Sequence, residues 1–286
     1  MNAGNWPSDD PAFGESWLVL IRALVHANVI ISFAATGVGV TSVVVLDLPL
    51  ELLPLGFVFS ATLLAYTLNR RWDREEDAAN LPGRTAFFAT YGSRIMVLAG
   101  LAYVAVAAAI GVFRPRVLPV ALAPIVAVWV YSAVGFKRIF LLKNVFVGLV
   151  WATIPVALAM YYGHGFSRAA VLLAAVIAVS LTVAAALFDI KDINGDRAAG
   201  ITTLPTAVGP RRTRQIASIG LLVMLPIIAT GVLVETRRFA ILSIYVIYLA
   251  PCIPFATTDR GPLFYGLVVD GEHILVGVLA LLWWTL

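Results

Sequence analysis

The sequence has few of the residues that build disulfide frameworks, zinc sites or soluble surfaces. Among its 286 residues there are one cysteine, Cys252, and three dispersed histidines. An intrachain disulfide is therefore excluded, and a zinc site, which needs several nitrogen or sulfur ligands, is disfavoured. Only 13% of the residues are charged, whereas soluble domains carry about 25%. This composition argues against a soluble globular protein.

Long apolar stretches fill the chain instead, and 61% of its residues are hydrophobic. Apolar runs of about 17–25 residues recur from end to end, and each can cross a hydrocarbon layer of about 30 Å. The sequence thus predicts an all-α, multi-pass integral membrane protein, with one membrane domain over residues 1–286. The nine predicted spans are 17–45, 50–68, 93–113, 117–135, 144–163, 167–188, 215–234, 238–257 and 271–286.

Basic residues are distributed unevenly among the connections between these spans. Fourteen arginines and lysines lie in or beside the connections after the even-numbered spans, against five after the odd-numbered ones. The positive-inside rule therefore predicts that the longer, even-numbered connections face the cytoplasm. The N-terminus is expected on the same side, and it lacks the basic region and cleavage site of a signal peptide. Membrane topology explains the net charge of +4 better than nucleic-acid binding does.

The second predicted span runs into an acidic motif, LNRRWDREEDAANLPGR, from Leu68 to Arg84. If the helix continues beyond the membrane surface, Asn69, Asp73 and Asp77 lie at i, i+4 and i+8 and share one face. Pro82 and Gly83 are expected to stop this helix.

The sixth predicted span runs into a second acidic motif, DIKDINGDRAAGITTLP. Asp189, Asp192 and Asp196 lie at i, i+3 and i+7, again on one face. Gly195 and Gly200 are expected to loosen the helix. The recurrence of an acidic motif four spans later hints at a duplicated four-helix unit whose two sites face each other.

Both motifs present oxygen atoms without nearby histidine or cysteine. All-oxygen ligation suits Mg²⁺, which binds a few carboxylates and completes its shell with water or substrate phosphates. The accompanying basic residues, among them Lys137, Lys143 and Arg197, could bind phosphate oxygens that the metal leaves free. Either motif alone is equally compatible with a solvated helix end, and each lysine with an interfacial anchor. Two aligned motifs on one membrane face favour a metal-binding site.

The paired motifs resemble those of the UbiA superfamily of intramembrane prenyltransferases. In the family motif N-D-x-x-D-x-x-x-D, Asn69, Asp73 and Asp77 match, whereas Arg70 replaces the usual Asp or Gln. The second family motif is often followed by G-D-R-x-x-G-x-x-T-L-P, and this chain has GDRAAGITTLP. Arg22 followed by Asn28, and the segment YSAVGFKRIFLLKN, are also similar to the family.

The resemblance implies a bundle of nine transmembrane helices around a central cavity, with the motif loops as a cytoplasmic cap. It implies Mg²⁺-dependent transfer of a prenyl group from a polyprenyl diphosphate to a lipophilic acceptor within the lipid membrane. The implied metal ligands are Asn69, Asp73, Asp77, Asp189, Asp192 and Asp196, of which Asp189 could instead orient a substrate. The aspartates implied to be catalytic are Asp73, Asp77, Asp192 and Asp196. The implied substrate-binding residues are Arg22, Asn28, Asn69, Tyr131, Lys137, Lys143, Asp189 and Arg197.

Aromatic residues near the motifs could face the allylic cation of such a reaction. The candidates are Tyr66, Trp72, Tyr131, Trp151 and Phe188. Each is also compatible with ordinary packing, because aromatic residues make up 11% of the chain.

The acceptor stays open among several classes. The sequence DIKDINGD departs from the family's 4-hydroxybenzoate pattern, and the glycine typical of the naphthoate branch is missing. GDRAAGITTLP looks more like the branches that serve homogentisate, chlorophyllide or geranylgeranylglyceryl phosphate. Thr85, where a proline is common, and Arg70 suggest a divergent subgroup. Arg70 either replaces a lost carboxylate or binds a charged acceptor.

Two other functions compete with prenyl transfer. A UbiA-type terpene cyclase would use the same motifs, with the prenyl cation attacking its own chain. A transporter would need charged residues near the middle of the membrane. The transporter is disfavoured because the acidic residues of this chain cluster at the predicted cytoplasmic ends of the spans.

Overall fold

The computed structural model describes residues 16–72, 81–121, 123–133, 140, 142–198 and 200–286. These residues form helices and connections, and no strand occurs among them. The α-helices are α1 (Ser16–His26), α2 (Val29–Val45), α3 (Leu52–Trp72), α4 (Pro82–Phe113), α5 (Leu118–Ala121), α6 (Ala123–Ala133), α7 (Leu142–Tyr161), α8 (Arg168–Ala198), α9 (Leu204–Val234), α10 (Ser243–Cys252) and α11 (Gly271–Thr285). Short 3₁₀ helices span Pro115–Val117, Arg237–Leu242 and Ile253–Phe255, and a π-helix spans Phe264–Val269.

The described helices confirm a multi-span membrane protein. Seven helical segments in the described residues are long and apolar enough to cross a membrane. Helices α1 and α2 form a further pair, bent by 70°, that brings the number to eight if the pair is one span. The predicted number of nine spans is not confirmed.

The bend between α1 and α2 divides the first predicted span, 17–45. Asn28 lies at the break with φ 62° and ψ 15°, in the left-handed region. Asparagine adopts this conformation more readily than most residues, so it can end one helix and begin the next. The Nδ2 atom of Asn28 lies 3.4 Å from Oγ1 of Thr67 and donates a hydrogen bond to it. The bend is thereby fastened to α3.

Helix boundaries near the acidic motifs differ from the expected ones. Helix α8 continues through Gly195 as far as Ala198, so the prediction that Gly195 loosens the helix is wrong. Gly200 does leave the helix, with φ +67°. Pro82 and Gly83 lie in the first turn of α4, where proline is favoured because its missing N–H would have no partner there. They therefore begin a helix, whose N-cap is Leu81.

The core lies around α8, which packs against α7 and α9. Its fully buried face includes Leu173, Ile177 and Leu187. A second tight contact joins α2 to α11, where a Cβ atom on Gly37 would come within 2.2 Å of the carbonyl oxygen of His273. Glycine lets these two backbones touch, as is common between membrane helices. The N-terminal turn of α11 is thus fixed against the bundle.

Candidate active site

A cavity of about 450 Å³ runs through the bundle. Its lining follows α3 from Pro54 to Asn69 and α7 from Lys143 to Tyr161. With a rise of 1.5 Å per residue, these stretches are about 22 Å and about 27 Å long. The cavity therefore follows most of the height of the bundle.

The two ends of this cavity differ in polarity. We call one the charged end, and its lining includes Asn69, Arg70, Arg84, Lys143, Asp189, Lys191, Asp192 and Asp270. We call the other the apolar end, and its lining includes Pro54, Phe57, Ile110, Val117, Leu158 and Tyr161.

Residues of both acidic motifs meet at the charged end. Asn69 of the first motif and Asp189 and Asp192 of the second line the same cavity, together with Asn28 at the bend. Asp73, Asp77 and Lys137 lie outside the described residues, and so does the side chain of Tyr131. Their predicted roles stay predictions.

Asp189 joins α8 to α7. Its Oδ1 atom is 2.7 Å from Nζ of Lys143, and its Oδ2 atom accepts a hydrogen bond of 2.9 Å from Nδ2 of Asn144. The side chain is 3% exposed. Both oxygens are thus engaged by protein donors, and the geometry favours an orienting role over direct metal ligation. What Asp189 orients is the ammonium group of Lys143, which lines the cavity.

Asp192 and Asp196 keep oxygen atoms that fit a cation. Oδ1 of each is buried without a hydrogen-bond partner among the described residues, although Oδ1 of Asp192 is 3.1 Å from Nζ of Lys191. The other oxygen of Asp196 accepts a hydrogen bond of 3.1 Å from Thr203. Buried carboxylate oxygens are costly unless they are paired or coordinate a metal, so this donor chemistry suits Mg²⁺. Within the described ranges no three histidine, cysteine or acidic side chains gather at one point, and the predicted ligands Asp73 and Asp77 lie outside those ranges.

Three predicted site residues do not line the cavity. Asp196 is 1% exposed and lies behind the wall, against Thr203. Arg197, at the end of α8, is exposed. Arg22 is half-buried on α1.

Some of the aromatic candidates line the cavity, and one does not. Tyr66, Trp151 and Phe188 line the cavity, and Nε1 of Trp151 donates a hydrogen bond of 3.2 Å to the Tyr66 hydroxyl. This bond fixes two rings in the wall next to the charged end. Trp72 is 49% exposed and is not part of the lining.

The sequence interpretation missed a polar cluster at the start of α11. Asp270 is 9% exposed and lines the charged end. Glu272 and His273 are fully buried behind it, where Glu272 accepts a hydrogen bond of 2.8 Å from Ser180. The His273 ring lies 5.4 Å from that of Trp151. The signal was the sequence DGEH, whose Asp270 falls just before the predicted span 271–286 and whose Glu272 and His273 fall inside it.

Comparison with known proteins identifies the family. The model of the UbiA prenyltransferase family matches residues 29–262. This chain belongs to that family. The predicted resemblance is therefore confirmed over most of the chain.

Solved structures of the family share the fold. A UbiA homologue from Archaeoglobus fulgidus bound to GPP and Mg²⁺ aligns with a TM-score of 0.63 and 15% identity, over 93% of this chain and 99% of that chain. The apo structure of a UbiA homologue from Aeropyrum pernix K1 aligns with a TM-score of 0.64 and 14% identity, over 87% of this chain and 94% of that chain. At these identities the likeness shows the fold alone.

A curated relative is more similar in sequence. It is the digeranylgeranylglyceryl phosphate synthase of Natronomonas pharaonis, 32% identical over 174 residues. The match covers 57% of this chain and 60% of that enzyme, so it spans less than two thirds of the relative's length.

Proposed function

We propose that this UbiA-family protein transfers a prenyl group from a polyprenyl diphosphate to a lipophilic acceptor in the membrane, with release of diphosphate and in dependence on Mg²⁺. The observation that carries the proposal is the cavity, whose charged end is lined by residues of both acidic motifs. The donor has the same polarity, with an anionic diphosphate at one end and an apolar chain at the other. Its tail would extend along Phe57 and Ile110 toward the apolar end.

Each group of residues has a proposed role. The proposed metal-holding residues are Asn69, Asp73, Asp77 and Asp192, with Asp196 a weaker candidate because it lies behind the cavity wall. Bound Mg²⁺ would act as a Lewis acid that neutralises the charge growing on the leaving diphosphate. Lys143, held by Asp189, and Lys137 would donate hydrogen bonds to diphosphate oxygens. Arg22 and Arg197 are weaker candidates for this contact, because neither lines the described cavity.

The wall beside the charged end is proposed to protect the reacting carbon. Tyr66, Trp151 and Phe188 can present ring faces to an allylic cation, which attract positive charge. Their bulk also excludes water, which would otherwise capture the cation as a prenyl alcohol. Tyr131 and Asn28 are proposed to contact the substrate from the same side.

The relatives support the donor class. The solved Archaeoglobus fulgidus homologues hold GPP or DMAPP together with Mg²⁺. The curated relative is named as a synthase of a digeranylgeranylglyceryl phosphate. We further propose the nine-helix bundle, with its motif loops and N-terminus on the cytoplasmic side, as the positive-inside pattern predicts.

The test is a product assay with the purified full chain in lipid nanodiscs. It combines Mg²⁺, radiolabelled prenyl diphosphates of increasing length, and an acceptor panel of geranylgeranylglyceryl phosphate, homogentisate and 4-hydroxybenzoate. The proposal predicts a prenylated acceptor and released diphosphate, both abolished by EDTA. A cyclic hydrocarbon formed without acceptor would identify a UbiA-type terpene cyclase instead. Failure to release diphosphate from any donor would contradict both enzymatic functions.

A further inference from the structure

A carboxylate outside both acidic motifs faces the charged end of the cavity. Asp270 is nine-tenths buried and belongs to the lining. It follows directly on the π-helix Phe264–Val269, and its backbone N–H donates a hydrogen bond of 3.2 Å to the carbonyl oxygen of Tyr265. Short π-helical turns are often found at functional sites. This turn directs Asp270 into the cavity from a segment that carries neither motif.

We propose that Asp270 takes up the proton that the acceptor loses, a role that rests on the proposed prenyl transfer. The nucleophilic atom of the acceptor, a hydroxyl oxygen or an aromatic ring carbon, forms a bond to the allylic carbon of the donor. The bond between that carbon and the diphosphate oxygen breaks, and its electron pair leaves with the diphosphate. The O–H or C–H bond of the acceptor then returns its electron pair to the oxygen or the ring, and its proton passes to a carboxylate oxygen of Asp270.

The other carboxylates of the described lining are already committed. Asp189 has both oxygens engaged by Lys143 and Asn144. Asp192 belongs to the second acidic motif, with Oδ1 3.1 Å from Nζ of Lys191. No hydrogen bond or ion pair to the side chain of Asp270 occurs among the described residues. The described lining includes no histidine, and of its three aspartates Asp270 is the one without an ion pair among the described residues.

The surroundings of Asp270 suit this role. The positive charges that act on it are those of Lys191 and Arg70, which also line the charged end. A general base must lie within reach of the proton that it takes, and Asp270 belongs to the lining of the same end of the cavity. Glu272 and His273 are fully buried beyond the wall, so neither can reach an acceptor in the cavity.

The test compares where the prenyl group goes in wild type, Asp270→Asn and Asp270→Glu. The control is Asp259→Asn, the same change at an exposed aspartate outside the lining. Full-length protein in nanodiscs receives Mg²⁺, radiolabelled geranylgeranyl diphosphate and geranylgeranylglyceryl phosphate, or whichever panel acceptor the wild type uses. Released diphosphate, prenylated acceptor and prenyl alcohol are measured together.

The Asp270→Asn variant should form prenylated acceptor about 10²-fold more slowly, the lower bound for loss of a general base. It should still release diphosphate when no acceptor is present, so the ratio of prenyl alcohol to prenylated acceptor rises. Asp270→Glu should retain part of the transfer, and Asp259→Asn all of it.

The ratio separates a proton acceptor from a structural or metal-binding residue. A folding or metal defect would lower both products together and leave their ratio unchanged, and that result would overturn the role of Asp270. Normal transfer by Asp270→Asn would overturn it too, since the diphosphate or another group would then take the proton. A wild-type protein that releases no diphosphate would instead refute the proposed function, and this role with it.

Discussion

The charged and apolar ends of the cavity are built on the same helices but present opposite chemistry. Helix α3 contributes Asn69 to one end and Pro54 to the other, and α7 contributes Lys143 and Tyr161. The two ends of a single helix thus fix how far a substrate's head lies from its tail. An amphipathic donor can satisfy both ends in one orientation only.

The polar groups at the two ends also differ in the partners that they contact. At the apolar end, the Tyr161 hydroxyl donates a hydrogen bond of 3.2 Å to Glu51, and the Arg114 guanidinium lies 5.4 Å from the ring. At the charged end, Oδ1 of Asp192 has no hydrogen-bond partner among the described residues. Protein contacts thus close the apolar end, whereas Oδ1 of Asp192, with the Lys191 ammonium group 3.1 Å away, can still bind a cation.

The largest effect is expected from Asp192→Ala. Loss of a proposed metal-holding carboxylate should lower turnover by about 10³-fold, since metal neutralisation of a leaving group contributes several kcal/mol. Rates of diphosphate release with saturating Mg²⁺ measure this. Asp259→Ala is the matched control and should retain activity. If Asp192→Ala shows Mg²⁺-dependent turnover at the wild-type rate, the charged end takes no part in the reaction.

Asp189→Ala should mainly reduce stability. It leaves Lys143 and Asn144 without their shared acceptor, and breaking a buried ion pair costs about 3 kcal/mol. Chemical unfolding in detergent measures the loss. The double variant Asp189→Leu with Lys143→Met removes both charges of the pair and should recover much of the lost stability.

The control is Asp47→Ala, which breaks an exposed ion pair with Arg238 and should cost less than about 1 kcal/mol of stability. If Asp189→Ala is as stable as wild type but has lost its Mg²⁺-dependent activity, Asp189 would be a metal ligand instead.

Ala157→Trp tests the apolar end. Ala157 lines the cavity on α7, and an indole ring there should block the path of a long tail. The kcat/KM for geranylgeranyl diphosphate should fall about tenfold, equivalent to losing the burial of about two methylene groups. The value for dimethylallyl diphosphate should hardly change. Leu149→Trp, at an exposed position of the same helix, should spare both donors. Equal losses for both donors with Ala157→Trp would contradict the assigned tail path.

The smallest effect is expected from Tyr66→Phe. The change removes the hydroxyl that accepts the Trp151 hydrogen bond and should cost about 1 kcal/mol, or about fivefold in rate. Looser rings admit more water, so the share of prenyl alcohol among the products should rise slightly. Chromatography of radiolabelled products measures this. A fall in alcohol would contradict a water-excluding role for the pair.

Much of this picture follows from local sequence patterns, and its limits have physical causes. Long apolar runs predict membrane helices, and Asn69, Asp189 and Asp192 reach one cavity because each motif begins inside the helix of its span. The pairing of Asp189 with Lys143 could not be read from the sequence, since it joins residues 46 positions apart. The helix passes through Gly195 because tertiary packing outweighs the low helix propensity of glycine.

The start of the last span was the least predictable region. The apolar run Phe264–Val269 before Asp270 does not by itself indicate a π-helix. From the sequence alone, Asp270 is therefore assigned to a connecting loop. The bend at Asn28 was hidden in a similar way, because apolar residues continue on both sides of it.

The most direct test is a structure of the protein with Mg²⁺ and a prenyl thiodiphosphate that cannot ionise. The account predicts the phosphorus atoms at the charged end, with a carboxylate oxygen of Asp192 about 2.1 Å from a magnesium ion. The prenyl tail should lie along α3 toward Tyr161. A diphosphate bound at the apolar end, or outside the cavity altogether, would contradict it.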